Sequence, residues 1–406
     1  MKYGMLARTL VIALLGLITA CSSDSSQTIP SSPQPAQILP LATEKSASNN
    51  LTHIEITLGD AKTLATLYSY PNAKGSSETL EKTIEHYLSQ RLTRDQIDNG
   101  SVSVSIDEKG TYRATLTGSS SDIINYKPQI KGFLSSGLKA SAAVEQLKKK
   151  GLWDEQDWRF FLPLGLSIVN QRSVQLLHFP PDYSLPNQNY LDSKTSQRWE
   201  KLLQLNGVPP SEVTLYESIL DVAPIAAPAS AGSTLSSTYR YFEPYVVDML
   251  PLLLDIDEGS TTALPIVAYG GPVRSWVKDH YKLSTFGVNS FNTVQITAQV
   301  QAPILGANHP SYLWYAKENG RDAAMKVMQQ DLISACWQAR MGSNPSANGT
   351  STLSHCSSYW ANKPMTVCIN MEIQAFDQSD SEAKASCKKS LPLVTTPHST
   401  ASAHQL

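Results

Sequence analysis

Asn308, His309, Pro310 and Ser311 stand where an apolar run from Ala302 to Gly306 stops, and Tyr312, Trp314 and Tyr315 follow at once. An imidazole, an amide and a hydroxyl within four residues supply hydrogen-bond donors and acceptors, and the proline holds their turn at one backbone angle. Such a set can grip a planar or polar small molecule. Two more loops carry groups of the same kind. PPDY supplies Asp182 and Tyr183, and AYGG supplies Tyr269 and Gly270. Asp182, Tyr183, Tyr269, Gly270, Asn308, His309 and Ser311 are therefore the candidate ligand-binding residues, with Asp182 and His309 the candidate catalytic pair. The plainer role for His309 is structural, a ring that hydrogen-bonds backbone to fix a turn. His178, Asp182 and His309 lack the spacing of a metal set, and the chain has no GxSxG elbow, HExxH or GxxxxGK[ST]. No metal and no cofactor are expected.

The cysteines carry a different chemistry. Residues 1–20 read as a signal peptide: Lys2 and Arg8 form a basic start, and Leu10 to Ile18 an apolar core short for a membrane span. Ile18-Thr19-Ala20-Cys21 resembles the bacterial lipobox, which implies acylation of Cys21 and membrane attachment through lipid. Ser22 stands where an Asp would favour inner-membrane retention in a Gram-negative cell, so the expected address is the cell envelope, at the outer membrane. Cys336, Cys356, Cys368 and Cys387 remain, an even number in an oxidising compartment, and they read as two disulfides of open connectivity.

Residues 21–50 and 388–406 are rich in Ser, Thr and Pro and poor in large apolar groups; they read as a disordered tether and tail. The formal charge of −2 counts Lys2 and Arg8, so removing both leaves −4. That balance argues against nucleic acid as a partner, since phosphate binding needs clustered excess Lys and Arg.

The elements that must position these groups follow from periodicity. In 51–120, HIEITL alternates as a strand, ETLEKTIEHYLSQRL has one apolar helical face, and SVSVSI and TYRATL flank DEKG as a hairpin. This predicts a small α+β module in which His86 is a packing or surface residue. In 121–345 a helical connection gives way to alternating strands and helices: SVQLLHF, SQRWEKLLQLNG, EVTLYESIL, the proline-bent STYRYFEPYVVDMLPLLLDI, ALPIVAYG, PVRSWVKDHY, TVQITAQVQAPILGA and the long RDAAMKVMQQDLISACWQARMG. The fold class is α/β, a mostly parallel sheet with helices on both faces. Residues 346–387 read as a disulfide-rich loop region. Ligands of open α/β sheets bind beyond the carboxyl ends of the strands, where PPDY, AYGG and NHPS all fall.

The order RWEKLLQLNGVPPSEVTLYESIL, LPIVAYGGPVRSWV and LGANHPSYLWY, across residues 170–340, resembles the uracil-DNA glycosylase superfamily, whose last strand runs into His-Pro-Ser. The resemblance implies a glycosylase-like fold and a role for His309 beside an anionic leaving base. The family's first motif carries an Asp or Asn that positions water; here Pro180 and Pro181 occupy that place, with Asp182 displaced by one or two residues.

Three readings result. One is an envelope-anchored scaffold or adaptor with a protein partner in the envelope. The second is a small-ligand protein, its ligand a nucleobase among the options, on a catalytically degenerate glycosylase-like fold. The third is a hydrolase using Asp182 and His309. A deep pocket under the NHPS loop favours the second or third; a filled pocket with an apolar patch elsewhere favours the first.

Overall fold

The computed structural model describes residues 51–67, 79–94, 97–160, 171–179, 193–216, 218–254 and 263–391. The signal segment with Cys21, the tether, the loop holding Asp182 and Tyr183, and residues 392–406 of the C-terminal tail lie outside the described residues; the tail's first residues, expected to be disordered, instead continue the last helix to Ser390.

The N-terminal module follows its periodicities. In β1 (Leu51–Asp60), Ile54, Ile56 and Leu58 are buried while their neighbours face outward. The helix α1 (Ala61–Leu67) follows, and α2 (Leu80–Arg94) buries Ile84, Tyr87, Leu88 and Leu92 on one face; His86 is exposed. The strands β2 (Ser101–Ile106) and β3 (Thr111–Ser119) pair antiparallel, and β3 also pairs antiparallel with β1, giving the order β1-β3-β2. The Asp107 carboxylate fixes their turn by accepting from the N–H groups of Lys109 at 2.9 Å and Thr111 at 3.0 Å.

The helix α3 (Ser120–Lys149) runs directly out of β3. A short strand pair, β4 (Arg159–Phe160) with β7 (Ile225–Ala226), joins the segments that follow. The larger sheet holds β5 (Val174–Leu177), β6 (Ser218–Asp221), β8 (Ile266–Tyr269), β9 (Phe291–Gln295) and β10 (Gln301–Ala307), in the order β6-β5-β8-β10-β9. Every pairing is parallel except β9 with β10. The helices between strands are α4 (Lys194–Leu205), the single turn α5 (Gly232–Leu235), α6 (Tyr239–Leu253) and α7 (Gly271–His280). After β10 come α8 (Tyr312–Ala316) and α9 (Arg321–Ser343).

Strand residues alternate between two cores, so the sheet is covered on both faces. Val174, Leu176, Ile266, Ala268 and Ile304 join the core of α6, which also takes in α3 and the N-terminal module. Leu177, Ile219, Val267, Tyr269 and Leu305 join the core of α4 and α9. The first core is therefore continuous from the small sheet to the large one, with α3 packed on both β1 and α6. Gly132 permits that close approach: a Cβ there would sit 2.7 Å from the Leu252 side chain.

Two further expectations need correction. The sequence predicts a strand from Glu212, but Pro210–Tyr216 forms a 3₁₀ turn and the strand begins at Ser218. Val213 and Tyr216 are its buried residues, and their separation of three matches the 3₁₀ repeat. The disulfide-rich region is helical, not loop: α10 (Gly349–Ala361), α11 (Pro364–Phe376) and α12 (Asp380–Ser390) fill it. Their starts are well specified. The Asn348 side chain accepts from the Ser351 N–H, Pro364 occupies the first turn of α11, and Ser379 with Glu382 forms a reciprocal capping box.

The open connectivity resolves as Cys336–Cys356, which ties α10 to α9, and Cys368–Cys387, which ties α11 to α12. Loops of 20 and 19 residues imply about 3 kcal/mol of stabilisation each on a chain-entropy account. Thiol titration of the denatured, unreduced protein is expected to find none of these four cysteines free; four reactive thiols would contradict the pairing. Among the described residues no helix is long and apolar enough to cross a membrane.

Candidate functional site

The strand order places a crevice beside the NHPS loop. From β5 the chain crosses to β6 on one side, and β8 then lies on the other side of β5. Connections that leave in opposite directions open a gap at the carboxyl ends of the two central strands. A cavity of about 740 Å³ lies there. His178 and Phe179 reach it from the end of β5, Tyr269 to Pro272 from the end of β8, and Asn308, His309 and Ser311 from the end of β10. Five candidate residues chosen from sequence, Tyr269, Gly270, Asn308, His309 and Ser311, thus meet at one cavity. Asp182 and Tyr183 lie outside the described residues.

The NHPS turn is fixed from below by a buried ion pair. Arg198 on α4 donates Nη1 to the Pro310 carbonyl at 2.6 Å and Nη2 to Asp331 Oδ2 on α9 at 2.8 Å. Asn308 donates its amide to Asp331 Oδ1 at 3.2 Å and to Gln330 Oε1 at 3.1 Å. Burial raises the Asp331 carboxyl to about 6 even against the opposing pull of Arg198 and Asn308. Charges this deep are costly to strand alone, so each member of the set holds the others in place. Asn308 is consequently a brace, its amide committed to α9.

His309 is held as a neutral ring with a defined tautomer. The Ser311 N–H points at Nδ1 from 3.3 Å and the Ser311 hydroxyl lies 2.7 Å from the same atom. A backbone N–H can only donate, so Nδ1 accepts and the ring proton sits on Nε2. Burial, with His178 and Arg198 adding positive surroundings, lowers the ring to about 4. His178 is lowered to about 4 by burial alone, and its Nε2 is buried without a partner. A histidine so weakly basic is a poor general base at neutral pH, where catalytic bases are tuned near 7. His309 is equipped instead to donate a hydrogen bond from Nε2, and its contact with Ser311 is a local turn rather than an activated nucleophile.

Tyr269 contributes its body and not its hydroxyl. That hydroxyl donates to Gln338 Oε1 at 3.0 Å and accepts from Trp199 Nε1 at 2.9 Å, inside the α4–α9 core. Gly270 has φ of 86°, a left-handed conformation that needs glycine, and it caps α7 without a side chain over the helix start. Gly306 is equally constrained: an added Cβ would lie 2.1 Å from the Gly287 carbonyl oxygen.

Sequence reasoning missed several residues here. Arg198 and Asp331 looked like ordinary charges on amphipathic helices; their signal was position on the inward face. Arg274, in the first turn of α7, lines the cavity and donates Nη1 to the Ala307 carbonyl at 2.8 Å. Tyr312 and Tyr315 line its mouth and are 48% and 62% exposed. Asp221, at the carboxyl end of β6, is 1% exposed with both carboxyl oxygens unpartnered, and burial raises it to about 8. It is therefore a neutral acid at pH 7.

The chain matches no protein family model, no curated protein and no solved structure. The site must be read from its own geometry. Among the described residues no group of three His, Cys, Asp or Glu is placed to hold a metal.

Proposed function

We propose that this protein is a lipid-anchored envelope protein whose α/β domain binds a planar or polar small molecule at the carboxyl ends of its sheet. The observation that carries this reading is convergence: polar groups on three separate strand ends line one open cavity of about 740 Å³. Ligand pockets of roughly 300–1,000 Å³ that are mostly apolar with a few aimed polar groups are the common form. The exposed Tyr312 and Tyr315 rings offer faces for stacking, and His309 Nε2–H and the Ser311 side chain offer polar contacts. The glycosylase-like order of the HPS, Gly-turn and helix–strand motifs supports a base-sized ligand. The low basicity of His309 weighs against the hydrolase reading, and an unfilled cavity under the loop weighs against a pure scaffold.

Thermal-shift screening with nucleobases, nucleosides and aromatic acids tests it. Binders should raise the melting temperature of the wild type, and His309→Ala should lose that response. Removing the ring also frees the Ser311 contacts, a cost of about 1 kcal/mol for a partly exposed hydrogen bond. A His309→Ala variant that responds to ligand like the wild type would sink the site.

Anchoring has its own test. Cys21 closes the lipobox-like Ile18-Thr19-Ala20-Cys21, and a Ser- and Pro-rich segment follows it. Cells expressing Cys21→Ser are expected to accumulate precursor that takes up no labelled palmitate. Equal labelling of variant and wild type would refute lipidation at this residue.

A further inference from the structure

Among the described residues, the charges around the cavity are one-sided. Arg274 and Lys326 line it, and no Asp or Glu does among the described residues. Neither cation makes an ion pair with a described residue, although the fold pairs Arg198, Arg113, Arg321 and several lysines elsewhere. Arg274 is partly buried, and among the described residues its side chain makes one hydrogen bond, to a neutral carbonyl, Ala307 O. Withdrawing a guanidinium from water without a counter-charge is unfavourable, which is why buried arginines are normally matched by carboxylates. The nearby helix start adds the same sign. The helix α7 is ten residues long, its cap is Gly270 with no side chain to satisfy the first N–H groups, and the space around the Gly271 Cα is open. The histidine at the other wall is neutral and presents a donor.

We infer that the ligand of this cavity is a small organic anion, a planar ring bearing a carboxylate or phosphate, with the acid group at Arg274, Lys326 and the start of α7 and the ring against Tyr312 and Tyr315. This deepens the binding reading above and rests on it. Arg274 is the specificity-determining residue, because a planar fork matches either oxyanion in two-point contact. Lys326, exposed on α9, adds attraction that salt screens.

Isothermal titration of the mature protein with matched probes separates the possibilities: phenyl phosphate and benzoate as anions, phenol and benzamide as their neutral counterparts. At least one anion is expected to bind ten-fold or more tightly than its neutral counterpart, and to weaken several-fold between 50 and 500 mM salt. Which anion wins tells phosphate from carboxylate. Arg274→Gln should erase the preference, Arg274→Lys should keep part of it, and Lys326→Gln, at an exposed position where folding is not at stake, should reduce it a few-fold. If neutral and charged probes bind alike, the anion assignment is wrong while the cavity remains a binding site. If no probe binds, or if binding is indifferent to His309→Ala, both the assignment and the binding reading fail.

Discussion

Asp331→Ala is expected to destabilise the protein by about 3–5 kcal/mol, the usual cost of stranding one member of a buried ion pair. Arg198 and Asp331 are both almost wholly enclosed, with side chains only 3% and 4% exposed. Without the carboxylate, Arg198 keeps its charge in the core with only the Pro310 carbonyl as an oxygen partner among the described residues. Asn308 also loses one of its two acceptors on α9, keeping Gln330 Oε1. The same variant should therefore lose ligand response as well as stability. A double replacement, Arg198→Met with Asp331→Leu, distinguishes the two effects. It removes both charges and fills the space, so much of the stability should return. Binding should stay weakened, because the Pro310 carbonyl still lacks Arg198 and the Asn308 amide keeps only Gln330. Urea denaturation gives the first quantity and ligand titration the second. A single Asp331→Ala variant within 1 kcal/mol of wild type would mean that the pair does not brace the loop.

Asp221→Asn is expected to remove a decline in stability between about pH 6.5 and 8. The carboxyl is neutral in the folded state up to about 8 but ionises near the ordinary 3.8 in the unfolded chain. Between those values the folded state holds the extra proton, so rising pH favours unfolding by about 1.4 kcal/mol per pH unit. His178 and His309 act in the opposite sense. Both are lowered from 6.5 to about 4, so the unfolded state binds more protons in that window and stability rises with pH through it. From about pH 4 to 6.5 the opposing contributions offset one another, with Asp331 adding to the Asp221 side up to about 6. Above 6.5 the histidine contribution fades as the unfolded rings lose their remaining charge, and by about pH 7.5 Asp221 outweighs it. Melting temperatures at pH 7, 7.5 and 8 should fall for the wild type and stay level or rise slightly for Asp221→Asn. Parallel curves would show that Asp221 is ionised and solvated at neutral pH.

Much of this architecture was legible in the chain, and particular residues show why. The alternation of Ile54, Ile56 and Leu58 and the helical spacing of Ile84, Tyr87, Leu88 and Leu92 each have a period that belongs to one structure. The short strands of the parallel sheet are buried on both sides, so they read as apolar runs, and their alternation between two cores has no polar counterpart to mark it. That is why the strand at Ser218 was drawn too long: Val213 and Tyr216 are apolar and buried like strand residues, yet Pro209 and Pro210 had already set a turn. Residues 346–387 read as loop because three cysteines and a polar composition dominate them, while the capping signals at Asn348, Pro364 and Ser379 are local.

The site divides in the same manner. Tyr269, Gly270, Asn308, His309 and Ser311 were found because a polar cluster at the end of an apolar run has few structural explanations. The Tyr269 hydroxyl and the Asn308 amide, however, serve the core. Arg274, Asp221 and the Arg198–Asp331 pair carry no local pattern that separates them from surface charges on amphipathic elements. Their meaning comes from sheet order, which brings the ends of β5, β8 and β10 together across 130 residues of sequence, from Leu177 to Ala307.

Backbone amide shift mapping of the mature protein with phenyl phosphate or benzoate addresses the central claim most directly. Binding at the carboxyl ends of the sheet predicts perturbations centred on Gly270, Gly271, Asn308, Ser311, Tyr312 and Tyr315, absent in His309→Ala. Shifts confined to another hollow, such as the polar one formed by Asn206, Arg340 and His355, would contradict it.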